Sequence, residues 1–151
     1  MRDYKKALNY SFLLLKYRSR SKGEIIGRLK KRGVSDTLID KVVEYLQEYN
    51  YINDKDFSCA FLEVSLNKGW GPKKIEFALK NLKVSQDLIE ETLKDKSIYH
   101  NKIRELIDKQ FFRYKNKKNP YQKVIKYMLT RGFEYDMIAE QINNIGLDSK
   151  L

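Results

Sequence analysis

Few residues in this sequence have the chemistry of a catalyst or a metal ligand. Histidine and cysteine occur once each, at His100 and Cys59. A single thiol makes neither a disulfide within the chain nor a cysteine-based zinc site, and this cysteine usage suits a reducing compartment. Cys59 falls between Phe57 and Phe61 on an amphipathic stretch, which points to a buried packing role rather than a nucleophile. His100 lies at a polar helix start and reads as solvated. Gly69-Trp70-Gly71 has part of the spacing of a phosphate-binding loop, but no strand precedes it and no Gly-Lys-Ser/Thr ending follows. Trp70 therefore reads as the hydrophobic pin of a tight turn between helices. Asp36, Asp40, Glu44 and Glu48 are spaced four apart along one outer helical face, which suits surface charge and not a converging acid–base pair. Eleven tyrosines have rings able to stack on bases, yet most occupy apolar-stripe positions and read as core. The expectation is a protein with no catalytic residue, no metal site and no cofactor, not an enzyme. Binding is the class left.

Positive charge is what the chain has in quantity: 31 Lys and Arg against 20 Asp and Glu in 151 residues, a formal net charge of +11. Lys, Asn, Ile and Tyr are all abundant, as the codon bias of an AT-rich genome would make them. The placement of the charge therefore says more than its amount. From Arg18 to Arg32 seven residues are basic and only Glu24 is acidic. From Lys68 to Lys83 five are basic beside Glu76, and from Lys109 to Arg131 eight are basic with no acid. The spans 35–50, 85–95 and 134–144 invert this, with eleven acids and only Lys41 and Lys94 as bases.

The alternation follows an internal repeat. Ile25, Leu29, Val34, Leu38, Ile39 and Val43 are matched 50 residues on by Ile75, Leu79, Val84, Leu88, Ile89 and Leu93. They are matched 99 residues on by Val124, Met128, Phe133, Met137, Ile138 and Ile142. Apolar residues fall on one helical face throughout, as in Ile103, Leu106, Ile107, Phe111 and Tyr114, and no segment alternates strictly enough for a half-buried strand. Two prolines and seven glycines also leave little for the turns of an all-β fold. Helix-end chemistry sets the boundaries. Ser21-Lys22-Gly23-Glu24 is a capping box, Ser35, Ser85 and Asn53 are N-caps, and Ile52 with Phe57 has the spacing of a hydrophobic staple. Pro72 and Pro120 take first helical positions, and Gly33 and Gly132 close helices.

Helices are expected near 4–17, 22–32, 36–49, 54–67, 72–82, 86–95, 98–115, 120–131 and 135–144, in repeats 1–50, 51–96 and 97–151. The fold class expected is all-α: three tandem three-helix, helix-turn-helix-like repeats in an elongated, curved, right-angle-packed array. One such unit alone is marginal, and tandem copies stabilise one another by burying neighbouring faces. The longest bulky apolar run, Phe12–Leu15, is far short of the ~20 residues of a membrane span. Met1-Arg2-Asp3-Tyr4-Lys5-Lys6 opens directly into an amphipathic pattern and not an export signal. A soluble, cytoplasmic protein is expected.

The basic runs centre on the second helix of each repeat and the acids on the third, so stacked repeats would carry a basic ridge and an acidic one. Such segregation suits a long, regularly charged polymer, nucleic acid or protein filament. In a DNA-reading helix-turn-helix the helix after the turn enters the major groove. Here that helix is the acidic one, and its carboxylates would face phosphate. That argues against sequence-specific readout, while non-specific phosphate contact through the second helices stays open.

Lys16-Tyr17-Arg18-Ser19-Arg20-Ser21-Lys22-Gly23-Glu24, followed by Leu29-Lys30-Lys31-Arg32-Gly33, resembles the opening signature of the RecX family, regulators of the RecA recombinase. Tyr51-Ile52-Asn53-Asp54-Lys55-Asp56-Phe57 is similar to that family's link into its second repeat, and Lys68-Gly69-Trp70-Gly71-Pro72-Lys73-Lys74-Ile75 to its basic second helix. Leu129-Thr130-Arg131-Gly132-Phe133 with Ile138 resembles the third-repeat ending, so the resemblance covers about residues 7–145. Asn53 stands where the family commonly has an acid and Lys83 where it has a turn glycine; the tail after Ile142 is short, suggesting a trimmed third repeat. The resemblance implies a monomer that binds the RecA–single-stranded-DNA filament in its groove. It implies restraint of filament growth, ATP hydrolysis and strand exchange, damping recombination, DNA repair and the SOS response. The residues implied in RecA or DNA contact are Arg18, Arg20, Lys22, Arg28, Lys30, Lys31, Arg32, Lys68, Lys73, Lys74, Lys80, Lys117, Lys118, Lys123, Lys126 and Arg131. A general nucleic-acid-binding protein, or a helical adaptor for another acidic protein, are the alternatives.

Overall fold

Capping residues fix where each helix starts. In the computed structural model, which describes residues 2–144, all regular structure is helical: α1 (Arg2–Tyr17), α2 (Lys22–Lys31), α3 (Asp36–Glu48), α4 (Asp54–Asn67), α5 (Pro72–Asn81), α6 (Gln86–Leu93), α7 (Ser97–Tyr114), α8 (Pro120–Thr130) and α9 (Tyr135–Asn144). Every boundary lies within two residues of its sequence expectation. The tail beyond residue 144 lies outside the described residues. Ser21 accepts the Glu24 amide at 3.1 Å while the Glu24 carboxylate accepts the Ser21 amide at 3.2 Å, completing the capping box. Ser35, Ser85 and Asn53 accept amides three residues on, at 3.4, 3.4 and 3.1 Å. Gly33 and Gly132 take φ of 76° and 96°. At the equivalent place Lys83 adopts φ 66°, left-handed without glycine's freedom.

The eighteen repeated apolar positions are all buried or half-buried. Two compact units contain them. Among the described residues the first comprises 2–60 and 79–92, and the second 61–78 and 93–144. In the first unit α1, α2 and α3 pack on one another around Ala7, Leu14, Ile25, Leu29, Ile39, Val42, Val43, Leu46 and Ile52. In the second, α7, α8 and α9 enclose Tyr99, Ile103, Leu106, Ile107, Val124, Met128, Phe133, Met137, Ile138 and Ile142, with Leu62 and Leu66 of α4 against them. Each fully buried side chain of this size contributes about 1.5–3 kcal/mol relative to exposure.

Two expectations need correction. Cys59 is exposed, not core. The inward face of α4 runs through Ser58 and Ser65, both buried, with Phe61 and Leu62 between them half-buried. Cys59 sits a further 100° round the helix, and its aromatic neighbours in sequence are not its neighbours across the face. The tyrosine expectation holds only in part. Tyr99 and Tyr121 are buried and Tyr4, Tyr10, Tyr45, Tyr114 and Tyr127 pack half-buried against the core, while Tyr17, Tyr49, Tyr51 and Tyr135 are exposed. A tyrosine needs a partner or water for its hydroxyl, so stripe-edge positions suit it better than stripe centres.

Candidate functional site

An inward pair spaced i, i+4 fixes the roll of each second helix: Ile25 and Leu29 on α2, Ile75 and Leu79 on α5, Val124 and Met128 on α8, all 0–1% exposed. With those pairs inside, Lys22, Arg28, Lys30, Lys31 and Arg32 stand exposed on or just after α2. Lys73 and Lys80 are exposed on α5, Lys68 just before it, and Lys117, Lys118, Lys123 and Lys126 around and on α8. Strict register recurs in all three repeats at Arg18/Lys68/Lys117, and in two at Lys30/Lys80, Lys74/Lys123 and Arg32/Arg131. The repeat preserves charge by helix more than by position. The third helices carry their acids exposed as well: Asp36, Asp40, Glu44 and Glu48 on α3, and Asp87, Glu90 and Glu91 on α6.

Several candidate residues are engaged within the fold. The Arg18 guanidinium grips Glu24 through both nitrogens, and Arg20, 10% exposed, lies 3.7 Å from the same carboxylate. Arg131 turns back and donates to the carbonyls of Gly69 (3.3 Å) and Lys68. Lys74 lies half-buried with its ammonium 4.5 Å from the Trp70 ring centre. Trp70 packs edge-on to Phe61 at 6.3 Å, as the expected pin of its turn.

These engaged residues surround a joint that occurs once in each compact unit. In the first, the start of α2 meets the turn after α5: the Ser21 hydroxyl donates to the Leu82 carbonyl, and Gly23 faces Lys83 so closely that an added β-carbon would lie 2.4 Å from the Lys83 Cβ. The Lys22 amide is taken by Asp54 at 2.8 Å. In the second, the start of α5 meets the turn after α8: the Gly71 amide donates to the Arg131 carbonyl at 2.7 Å and the Lys73 amide to the Gly132 carbonyl at 3.0 Å. Pro72, between them, has no amide to satisfy. Both joints satisfy orphan carbonyls at one helix end from another helix start, with orphan amides as donors in the second and the Ser21 hydroxyl in the first.

Sequence reasoning missed the aromatics that stand out beside the lysines. Phe77 is 67% exposed on α5, four residues after Lys73 and three before Lys80. Phe112 is 70% exposed with the Lys115 ammonium 4.2 Å from its ring centre, and the Arg32 guanidinium covers the Tyr10 ring at 3.9 Å. Phe77 was detectable in principle: with Ile75 and Leu79 inward, a residue midway between them points out. No group of His, Cys, Asp and Glu among the described residues has a metal-holding arrangement. No helix among them is long and apolar enough to cross a membrane.

Comparison with known proteins is consistent along the whole chain. Residues 7–46 match the first three-helix domain of RecX, 53–93 the second and 98–142 the third. The regulatory protein RecX of Caldanaerobacter subterraneus subsp. tengcongensis is 31% identical over 142 residues, 93% of this chain and 71% of the relative. That of Haemophilus influenzae strain PittGG is 33% identical over 140 residues, covering 90% and 92%. The crystal structure of RecX from Lactobacillus salivarius superposes with a TM-score of 0.84 at 26% identity, covering 98% of both chains.

Proposed function

Because this chain belongs to the RecX family, we propose that it regulates a RecA recombinase, as an inhibitor, by binding the RecA–single-stranded-DNA filament through its three basic second helices. The observation that carries the reading is the outward roll of α2, α5 and α8, each held by a buried i, i+4 pair so that lysines and arginines face solvent. Several linked modules, each weak alone, gain affinity on a repeating partner by effective concentration. Binding then depends on the assembled filament more than on free RecA, and takes place in the cytoplasm. Arg18, Arg20, Lys74 and Arg131 serve this surface indirectly by holding the joints. Lys22, Arg28, Lys30, Lys31, Arg32, Lys68, Lys73, Lys80, Lys117, Lys118, Lys123 and Lys126 are the contact residues.

The test is RecA ATPase and strand exchange with wild type and with Lys30→Glu/Lys31→Glu/Lys80→Glu. The triple variant is expected to lose inhibition at least tenfold in effective concentration while keeping its helical circular dichroism. Equal inhibition by both proteins overturns the assignment of this face. A second reading, a general single-strand binder, is favoured by Phe77 exposed on the same helix as Lys73 and Lys80, a stacking and phosphate-contact combination. Equal affinity for bare and RecA-coated single strands, with both lost at high salt and both weakened by Phe77→Ala, selects that reading.

A further inference from the structure

The last turn of α3 carries a surface of opposite chemistry to α2. Phe12 of α1 lies 4.8 Å from Tyr51, ring centre to ring centre and nearly perpendicular. Tyr45 lies 4.7 Å from Tyr49 and 6.5 Å from Tyr51, the latter pair only 13° from parallel. Phe12 and Tyr45 rest half-buried against the core, while Tyr49 is 59% and Tyr51 51% exposed, so the cluster reaches from the core to the surface. A shallow groove of about 410 Å³ adjoins it, lined by Tyr4, Leu38, Lys41, Glu44, Tyr45 and Glu48. Glu44 and Glu48 are four residues apart and both exposed, and Lys41 is the one cation in the lining.

We propose that this aromatic and acidic edge of α1 and α3 is a docking surface for an arginine- or lysine-bearing segment of a protein partner, distinct from the basic helices. Aromatic faces carry a negative quadrupole that attracts guanidinium and ammonium groups, and a neighbouring carboxylate adds the full charge. Tyrosines offer a large contact area while fixing few rotatable bonds, which is why they recur in binding surfaces. Burial raises the pKa of the Tyr45 hydroxyl, as does the closeness of Tyr51, Tyr49, Tyr4 and Glu48. A nucleic acid is the wrong occupant, since Glu44 and Glu48 would repel its phosphates. The edge therefore commits to a cationic protein segment, bound against the overall +11 of the chain.

The experiment is an amide-resolved NMR titration of the full chain with a short peptide of alternating arginine and glycine. Oligothymidylate is titrated in parallel, and sedimentation is measured without ligand. The expected result is saturable shifts confined to Phe12, Tyr45, Tyr49, Tyr51 and their neighbours. The peptide affinity is expected to fall about tenfold in Tyr49→Ala/Tyr51→Ala and further in Glu44→Lys/Glu48→Lys. The glutamates are exposed, so the second variant decides the matter should the first fail to fold. Shifts spread equally over the acids of α6 and α9, or unchanged affinity in the folded variants, overturn the proposal in favour of diffuse electrostatics. Oligothymidylate shifting the same residues, or self-association that broadens them without peptide, overturns it in favour of nucleic acid or a second copy.

Discussion

In the first compact unit a side chain closes the joint between two second helices, and in the second unit the backbone closes it. Ser21 reaches the Leu82 carbonyl with its hydroxyl, whereas Gly71 and Lys73 reach Arg131 and Gly132 with their own amides. The first joint keeps a full side chain at its turn, Lys83, and takes glycine only on the facing helix start, at Gly23, where an added β-carbon would lie 2.4 Å from the Lys83 Cβ. The second joint has glycine on both sides. An added β-carbon on Gly71 would lie 2.4 Å from the Gly132 carbonyl carbon, and one on Gly132 would lie 2.6 Å from the Lys74 Cβ. The nearer the two backbones, the more the joint depends on glycine at both faces.

The largest effect should come from crowding the backbone joint. Gly71→Ala drives a methyl into main-chain atoms that cannot turn aside, and is expected to cost about 3 kcal/mol in urea unfolding, the scale of a severe overpacking change. A cost under about 1 kcal/mol would mean the second joint is looser than the first. Ser21→Ala removes the cap and leaves the Leu82 carbonyl without its donor, for an expected loss of about 1–2 kcal/mol. Lys83→Gly should run the other way. It frees a left-handed residue of its β-carbon, with an expected gain of about 1 kcal/mol in the same assay.

The smallest effect belongs to the second unit alone. The Tyr99 hydroxyl is buried with no hydrogen-bond partner, and burial, with Asp95 adding to it, pushes its pKa up to about 12. The unfolded chain gives up that proton near 10 while the folded one keeps it. This contribution to stability is therefore complete below pH 10 and falls as pH rises towards 12. Tyr99→Phe should be neutral or stabilising by up to about 1 kcal/mol at pH 7, and should lose less stability than wild type between those pH values.

Helix ends, the repeated core positions and the outward charges were legible in the sequence because each rests on local chemistry: a cap, a period, an excluded charge. Even the odd turn at Lys83 was visible, as a lysine where its sister turns have glycine. The double use of the arginines was not. Arg32 and Arg131 occupy the same place in their repeats, yet Arg131 holds carbonyls at a joint and Arg32 covers Tyr10. Nothing in local spacing separates the two, because the difference lies in what another part of the chain brings alongside. Cys59 was misread for a related reason: Phe57 and Phe61 define an edge of α4, while its inward line is marked by serines.

Helix α5 starts in one compact unit and finishes in the other, as α4 does. The segment that is duplicated along the chain is therefore not the segment that folds as a body. Were such a protein lengthened or shortened by unequal recombination of its own gene, a break at a repeat boundary would preserve every helix but divide a core. A truncation after the second repeat would leave the second half of α4 and the first half of α5 without the helices they fold with. Inheritance in this architecture counts in threes of helices, and folding counts across them.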